Sequence, residues 1–243
     1  MGASYLPNQS DIERYRAFRA VSLAVNHRII KIIPARAYDE IGDALGIRRA
    51  GVLVFDSDDM SSVLMDCCVY NWFENGKTLV ERYAETHPAK PGTEESYLLQ
   101  ALLQAKYRIL VVQSVVAGAG IHCKDVLNGE ELFVMDLAFS RTIPDSGMAI
   151  ATRTIPLGEY SMTGGAGLPI SSKKDGLDAL CRIKSANSRP LHGPGGVALP
   201  IARACLAAGA ADHIMYEGPE ETGAIEPPPP TRWPGFKRRR RPR

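Results

Sequence analysis

Two stretches of this chain hold residues whose types and spacing could do chemistry. Near the C-terminus, Arg232, Lys237, Arg238, Arg239, Arg240, Arg241 and Arg243 gather cations around Trp233 and Phe236. Cations neutralise phosphates and aromatic faces stack on unpaired bases, so the pattern suits sequence-independent contact with nucleic acid or a ribonucleoprotein. A solvated terminal charge run is the plainer account of the same residues. In the first quarter of the chain, the apolar run Val52 to Phe55 leads into Asp56, Ser57, Asp58 and Asp59. Carboxylates two positions apart behind an apolar segment could serve phosphoryl transfer. The plainer account is a helix start, where acidic side chains cap open N–H groups and favour the helix dipole.

The order of that second stretch resembles the nucleophile motif of haloacid-dehalogenase-type phosphatases. The resemblance implies Asp56 as the group attacking phosphorus, Asp58 as the acid protonating the leaving group, and Mg2+ beside them. Ile109 to Ser114 would be the second strand, ending in a hydroxyl. Met60 departs from the small β-branched residue of that family, and no later acidic pair follows a clear strand. Gly76-Lys77-Thr78 has the ending of a P-loop, but the glycine required five residues earlier is Asn71, so the triplet reads as a turn. Ser171-Ser172-Lys173-Lys174 has the Ser-x-x-Lys spacing without its companion motifs and reads as a capped helix start. His122 and Cys123, neighbours on a predicted strand, point to opposite faces and make a poor base and nucleophile couple; Cys123 reads as a small core residue. His27 falls on a solvated helix face, and His87, His192 and His213 stand alone. The sequence therefore predicts no metal and no cofactor.

The elements that position these residues follow from periodicity. Ser10-Asp11-Ile12-Glu13 has the form of a capping box, and Ile12, Tyr15, Phe18, Val21, Val25, Ile29 and Ile32 recur at helical steps until Pro34 ends the run. A second helix spans Pro34 to Gly46. The run Val52 to Phe55 fits either a buried strand or the approach to a helix capped by Ser57 or Asp58, which carries Val63, Leu64 and Cys67 inward and closes at Asn75-Gly76. Short helices follow over 78–86 and 93–106. From Tyr107 the chain turns to β-branched runs punctuated by Gly118, Asn128-Gly129, Pro144 to Gly147 and Gly158, which is hairpin spacing. Asn128-Gly129 predicts a two-residue type I′ turn joining Ile121–Leu127 to Glu131–Ala138. The strand Leu132–Phe139, apolar on both faces, suits a small closed barrel.

Beyond Leu168 helical signals return, with Leu177, Leu180 and Ile183 inward, then an alanine-rich helix near 197–208. From Glu217 the composition of Glu, Pro and Gly is too poor in apolar side chains to offset the entropy of ordering. The expected class is α+β: a helical region over 10–106, an antiparallel five-stranded barrel-like module over 107–168, C-terminal helices over 169–216 and a disordered tail over 217–243.

Composition adds the setting. Formal net charge is +2, from 29 basic and 27 acidic residues, and seven of the basic ones lie in the tail. Five cysteines, two of them adjacent, do not pair readily, which fits a reducing compartment. Neither a signal-peptide pattern nor an apolar run of membrane-spanning length is present. The expectation is a cytoplasmic protein without membrane contact.

The stretches VLVFDSDDMSSVLMDCCVYNW, LLQALLQAKYRILVV and GIHCKDVLNGEELFVMDLAFSRTI with ATRTIPL resemble, in that order, bacterial proteins of unknown function that often end in a SEC-C zinc knuckle, a motif also found at the end of the preprotein translocase ATPase. The resemblance implies a helical region followed by a small barrel and adds no catalytic residue. Cys205 is the last cysteine, so the paired ligands of a knuckle are missing and the basic run stands in their place. The reading that results is a non-enzymatic interaction protein reaching nucleic acid through Arg232 to Arg243; the alternative is a Mg2+-dependent phosphatase using Asp56 and Asp58.

Overall fold

The computed structural model describes residues 5–143, 147–170, 196 and 198–209. The expected helix over 171–183, the turn residues 144–146, Cys181, His192, His213 and the whole basic tail lie outside the described residues.

Helix α1 (Gln9–Lys31) is capped by Asn8, two residues before the expected box: the Asp11 N–H donates to Asn8 Oδ1 (3.1 Å) and the Asn8 N–H to Asp11 Oδ2 (2.9 Å). Asparagine caps as well as serine, and moving the start back adds half a turn. Tyr15, Phe18, Ser22, Val25 and Ile29 form its buried stripe. Helix α2 (Ala35–Leu45) ends at Gly46 in the left-handed region (φ 75°), as the glycine predicts. Of the two expectations for the run at Val52, the approach to a helix holds: no buried strand forms, and Val54 and Phe55 lead to the helix capped by Ser57. Strands β1 (Arg48–Arg49) and β2 (Val52–Leu53) make an isolated hairpin through Ala50 and Gly51, both at positive φ, and Val52 is 44 % exposed. Helix α3 (Asp58–Asn71) is capped by Ser57 and buries Val63, Leu64, Cys67 and Cys68. Asn75-Gly76 does not close this helix. It is the positive-φ turn of a second hairpin, β3 (Phe73–Glu74) with β4 (Lys77–Thr78), so the Gly-Lys-Thr triplet is indeed a turn. Thr78 and Glu81 then form a capping box on α4 (Leu79–Thr86), and Thr93 caps α5 (Glu94–Leu103).

The chain next builds β5 (Lys106–Val116), β6 (Gly120–Asp125), β7 (Glu131–Met135), the single-turn helix α6 (Phe139–Thr142), β8 (Ala149–Pro156), β9 (Ser161–Thr163) and β10 (Leu168–Ile170). The strand order is β10-β8-β5-β6-β7-β9, and β8 also pairs with β9, closing β5 to β9 into a five-stranded barrel. All contacts are antiparallel except β7 with β9. Strand β7 ends at Met135 and not at Phe139, because Asp136 Oδ1 accepts the Phe139 N–H and starts α6. The β6–β7 pairing matches expectation in direction, but the loop is longer than two residues: Asp125 N–H donates to Glu130 O, Gly129 N–H donates to Asp125 O, and of Asn128 and Gly129 only the glycine has positive φ.

Alternation divides the barrel side chains in two. Leu110, Val112, Ile121, Cys123, Val134 and Ile150 form one small cluster, the interior, plugged by Ile143. Tyr107, Ile109, Phe133, Met135, Ala149 and Ala151 face outward into the helices, in one core that α7 (Ala198–Ala207) completes with Ile201, Ala202 and Cys205. Close approach of β6 and β7 requires Gly120, where a Cβ would lie 2.3 Å from the Val134 carbonyl oxygen.

Two arginines fasten helices to barrel. Arg153 on β8 donates through Nε to both oxygens of Asp66 on α3 (2.9 and 3.0 Å) and through Nη2 to Asn71 Oδ1 (2.8 Å), between the rings of Tyr70 and Tyr107. Arg19 on α1 donates to the carbonyl and the hydroxyl of Thr163 on β9 (2.8 Å each) and lies 3.4 Å from Asp136.

Two stability measurements test this architecture. Gly129→Val forces a β-branched side chain to φ 79° and is expected to cost ~1 kcal/mol or more in denaturant titration; an unchanged midpoint would contradict the loop conformation. Arg153→Met is expected to cost ~3–5 kcal/mol because Asp66 stays buried without a partner, and Arg153→Met with Asp66→Leu should recover much of that loss. Additive losses in the double variant would rule out the coupling.

Candidate functional site

The β7–β9 contact is short, with Val134 beside Ser161 and Met135 beside Met162. Beyond that contact, Leu132 turns its backbone groups to β6, so only Glu131 and the Phe133 N–H face the other side of β7 with no strand opposite. Between β8 and β9 the chain turns at Gly158, with the Leu157 N–H donating to the Tyr160 carbonyl (2.8 Å), and residues of this turn line the gap. A cleft of about 440 Å³ results at the barrel seam. Its lining includes the apolar Leu132, Phe133, Pro156 and Tyr160 and the polar Lys106, Arg108, Glu130, Glu131, Thr154 and Glu159. The Tyr5 ring packs behind on Phe133 and Tyr160, with centroids 5.2 and 6.2 Å away.

Arg108 organises this site. Its side chain is 7 % exposed, and Nη1 donates to Asp125 Oδ2 (2.8 Å) and Glu130 Oε2 (2.7 Å) while Nε donates to Thr154 Oγ1 (2.9 Å). Asp125 Oδ1 in turn accepts the Leu127 N–H (2.9 Å), and Asn128 Oδ1 accepts the Glu130 N–H (2.9 Å). One guanidinium thus holds both ends of the β6–β7 loop. Its Nη2 donates to none of the described residues and belongs to a side chain that lines the cleft. The Arg108 hydrogen bond holds the Glu130 carboxyl below the usual carboxylate range. Lys106 and Arg108 face three rim carboxylates, with Asp125 behind, so the cleft carries surplus negative charge. Among the described residues Glu159 pairs with no cation, and Glu131 accepts only a long bond from Gln113 (3.4 Å). Such an opening suits a cationic, extended ligand better than a phosphate.

The sequence-derived candidates lie elsewhere. Asp56 is exposed between β2 and α3, with its N–H 3.3 Å from Met60 Sδ, and the strand before it belongs to an isolated hairpin. Asp58 opens α3, and its side chain lies outside the described residues. Arg232, Trp233, Phe236, Lys237, Arg238, Arg239, Arg240, Arg241 and Arg243 are also outside the described residues. Cys123 is inside the barrel, where burial pushes its thiol up to about 12. His122 points the other way, its ring 4.8 Å from that of Phe133 and its pKa lowered by burial. His27 is exposed and His87 stacks on Tyr83 at 4.6 Å. Among the described residues no three His, Cys, Asp or Glu side chains are grouped to hold a metal ion, and no helix is long and apolar enough to cross a membrane.

The sequence reading passed over Arg108, Glu130, Glu131 and Glu159. A signal for Arg108 was present: a charge inside the apolar run Tyr107 to Val112 must be buried with partners, and Asp125 and Glu130 flank the next predicted turn.

A family model matches residues 9–178, that of DUF7986, a family of unknown function. That is more than half of the chain, and the chain belongs to this family. No curated protein and no solved structure matches it.

Because Arg108 depresses Glu130, the contribution of Glu130 to stability is present above its unfolded value of ~4.3 and fades as pH falls through the lower folded value. A carboxyl NMR titration should place the Glu130 midpoint below ~4.3, and Arg108→Lys, which cannot bridge two carboxylates with a planar fork, should raise it. A midpoint indifferent to that change would remove Arg108 as the cause.

Proposed function

We propose that this member of a family of unknown function is a non-catalytic interaction protein. Its barrel seam receives an extended polypeptide, and its segment Arg232 to Arg243 engages nucleic acid or a ribonucleoprotein. The observation that carries the first half is the outward backbone edge at Glu131, which β9 does not reach, alongside a cleft whose mixed lining includes Leu132, Pro156 and the carboxylates Glu130, Glu131 and Glu159. Strand addition supplies main-chain hydrogen bonds, and the flanking walls select side chains. The composition of the tail supports the second half, since its cations and two aromatic rings offer phosphate neutralisation and stacking. Four buried thiols, Cys67, Cys68, Cys123 and Cys205, support a cytoplasmic setting. The order of acidic helix, connecting helix and barrel strands supports kinship with the SEC-C-associated proteins.

A tail that contacts roughly six phosphates of single-stranded RNA gives a log-log salt slope of about −4, a loss of a few hundredfold in affinity between ~50 and ~200 mM salt. Fluorescence titrations of the full chain and of a chain ending at Glu226 should show that this dependence disappears with the tail. Equal affinities and slopes would take the tail out of the function, and a magnesium-dependent phosphatase activity lost in Asp56→Asn would replace the whole reading.

A further inference from the structure

We propose that the cleft at the barrel seam is a docking site for the chain's own segment Arg232–Arg241, so that body and nucleic acid compete for the same cations. The docking stands on the geometry of the cleft; its regulatory consequence rests on the tail being the nucleic-acid contact.

Charge selects the occupant. Arg108 is matched by Asp125 and Glu130; against Lys106 in the lining and Lys124 opposite Glu131 on β6 stand Glu131 and Glu159, neither of which forms an ion pair among the described residues. Within this chain the densest cationic segment is Lys237 to Arg241. Apolar side chains are available to both partners: Trp233 and Phe236 precede the cations, and Leu132 and Pro156 are half-buried residues of the lining. The outward backbone groups of Glu131 and the Phe133 N–H can pair with an extended backbone, and Arg108 Nη2 has a donor for one of its carbonyls. Proline at 234 removes one donor and leaves the neighbouring amides for pairing.

Reach is sufficient. From Gly209 to Arg232 the chain can extend to about 80 Å at ~3.5 Å per residue, against a radius of gyration of ~17 Å for a body of about 200 residues. Tethering also makes weak docking effective. With an effective concentration of ~1 mM and an intrinsic Kd of ~100 µM, about ten tails are docked for each one free, and RNA affinity falls by about tenfold. Because docking is itself electrostatic it weakens with salt, which flattens the apparent salt slope of the wild type.

The test uses the full chain throughout. Glu131→Gln with Glu159→Gln removes two exposed rim charges and spares Glu130, which holds the loop. Glu13→Gln with Glu94→Gln, on α1 and α5, is the control of equal charge change. A uridine oligonucleotide is titrated at ~50 and ~200 mM salt, and trypsin trimming of the tail is followed by mass spectrometry at two protein concentrations. The rim variant is expected to bind RNA ~5–10-fold tighter at low salt with a steeper slope and to lose its tail to trypsin faster by a similar factor, at a rate independent of protein concentration; the control should match wild type. Equal trimming of rim variant, control and wild type overturns the docking. Protection that rises with protein concentration also overturns it, in favour of the tail of a second copy. Rim-dependent trimming without any change in RNA affinity upholds the docking and removes the nucleic-acid reading instead.

Discussion

The guanidinium of Arg153 is the contact on which the arrangement of helices and barrel depends. At 3 % side-chain exposure it has left water almost completely, and Asp66 has gone with it at 8 %. Burying both ions costs several kcal/mol each, and only an arrangement that supplies every partner at once recovers it. Asp66, Asn71, Tyr70 and Tyr107 do so for a single placement of α3 against β8. What such a pair fixes is position more than net stability. Arg19 does the same for α1 against β9. With β8 and β9 both held to helices, the half of β7 that β9 does not reach is left facing an opening, and the cleft follows.

Two Asn-Gly pairs show how much a turn signal owes to its surroundings. Asn75-Gly76 has positive φ at both residues and closes a hairpin of two-residue strands, as the pair predicts in isolation. Asn128-Gly129 does not, because Asp125 and Glu130 are drawn onto Arg108 and their separation is set from a strand outside the hairpin. Local chemistry wins where nothing else acts on the loop.

Much of the fold was legible because most boundaries rest on local chemistry. The caps at Ser57, Thr78 and Thr93, the stop at Gly46 and the β texture from Tyr107 onward need no knowledge of distant residues. The Val52 run was undecidable because two residues pair and the remainder is extended, a pattern that periodicity cannot resolve. The site was hidden for another reason. Its residues come from β5, β7, β8 and the turn before β9, and no spacing along the chain reveals that a two-pair parallel contact leaves a gap beside Leu132. The acidic cluster at Asp56 drew attention through motif order, yet it is the pair of arginines inside apolar strands, Arg108 and Arg153, that marked where the chain would concentrate its polar partners.

Helix α1 is fastened to the last strand of the barrel: Arg19 meets Thr163 across 144 residues of sequence. On a ribosome adding about 5–20 residues per second, Arg19 is made some seven to thirty seconds before its partner. The stripe of Tyr15, Phe18, Val25 and Ile29 can meet α3, α4 and α5 within that interval, but the link to the barrel through Arg19 must wait for β9. The tie of α1 to the barrel is therefore made only after β9 exists, so the placement of this helix on the barrel is among the last features of the fold to be fixed.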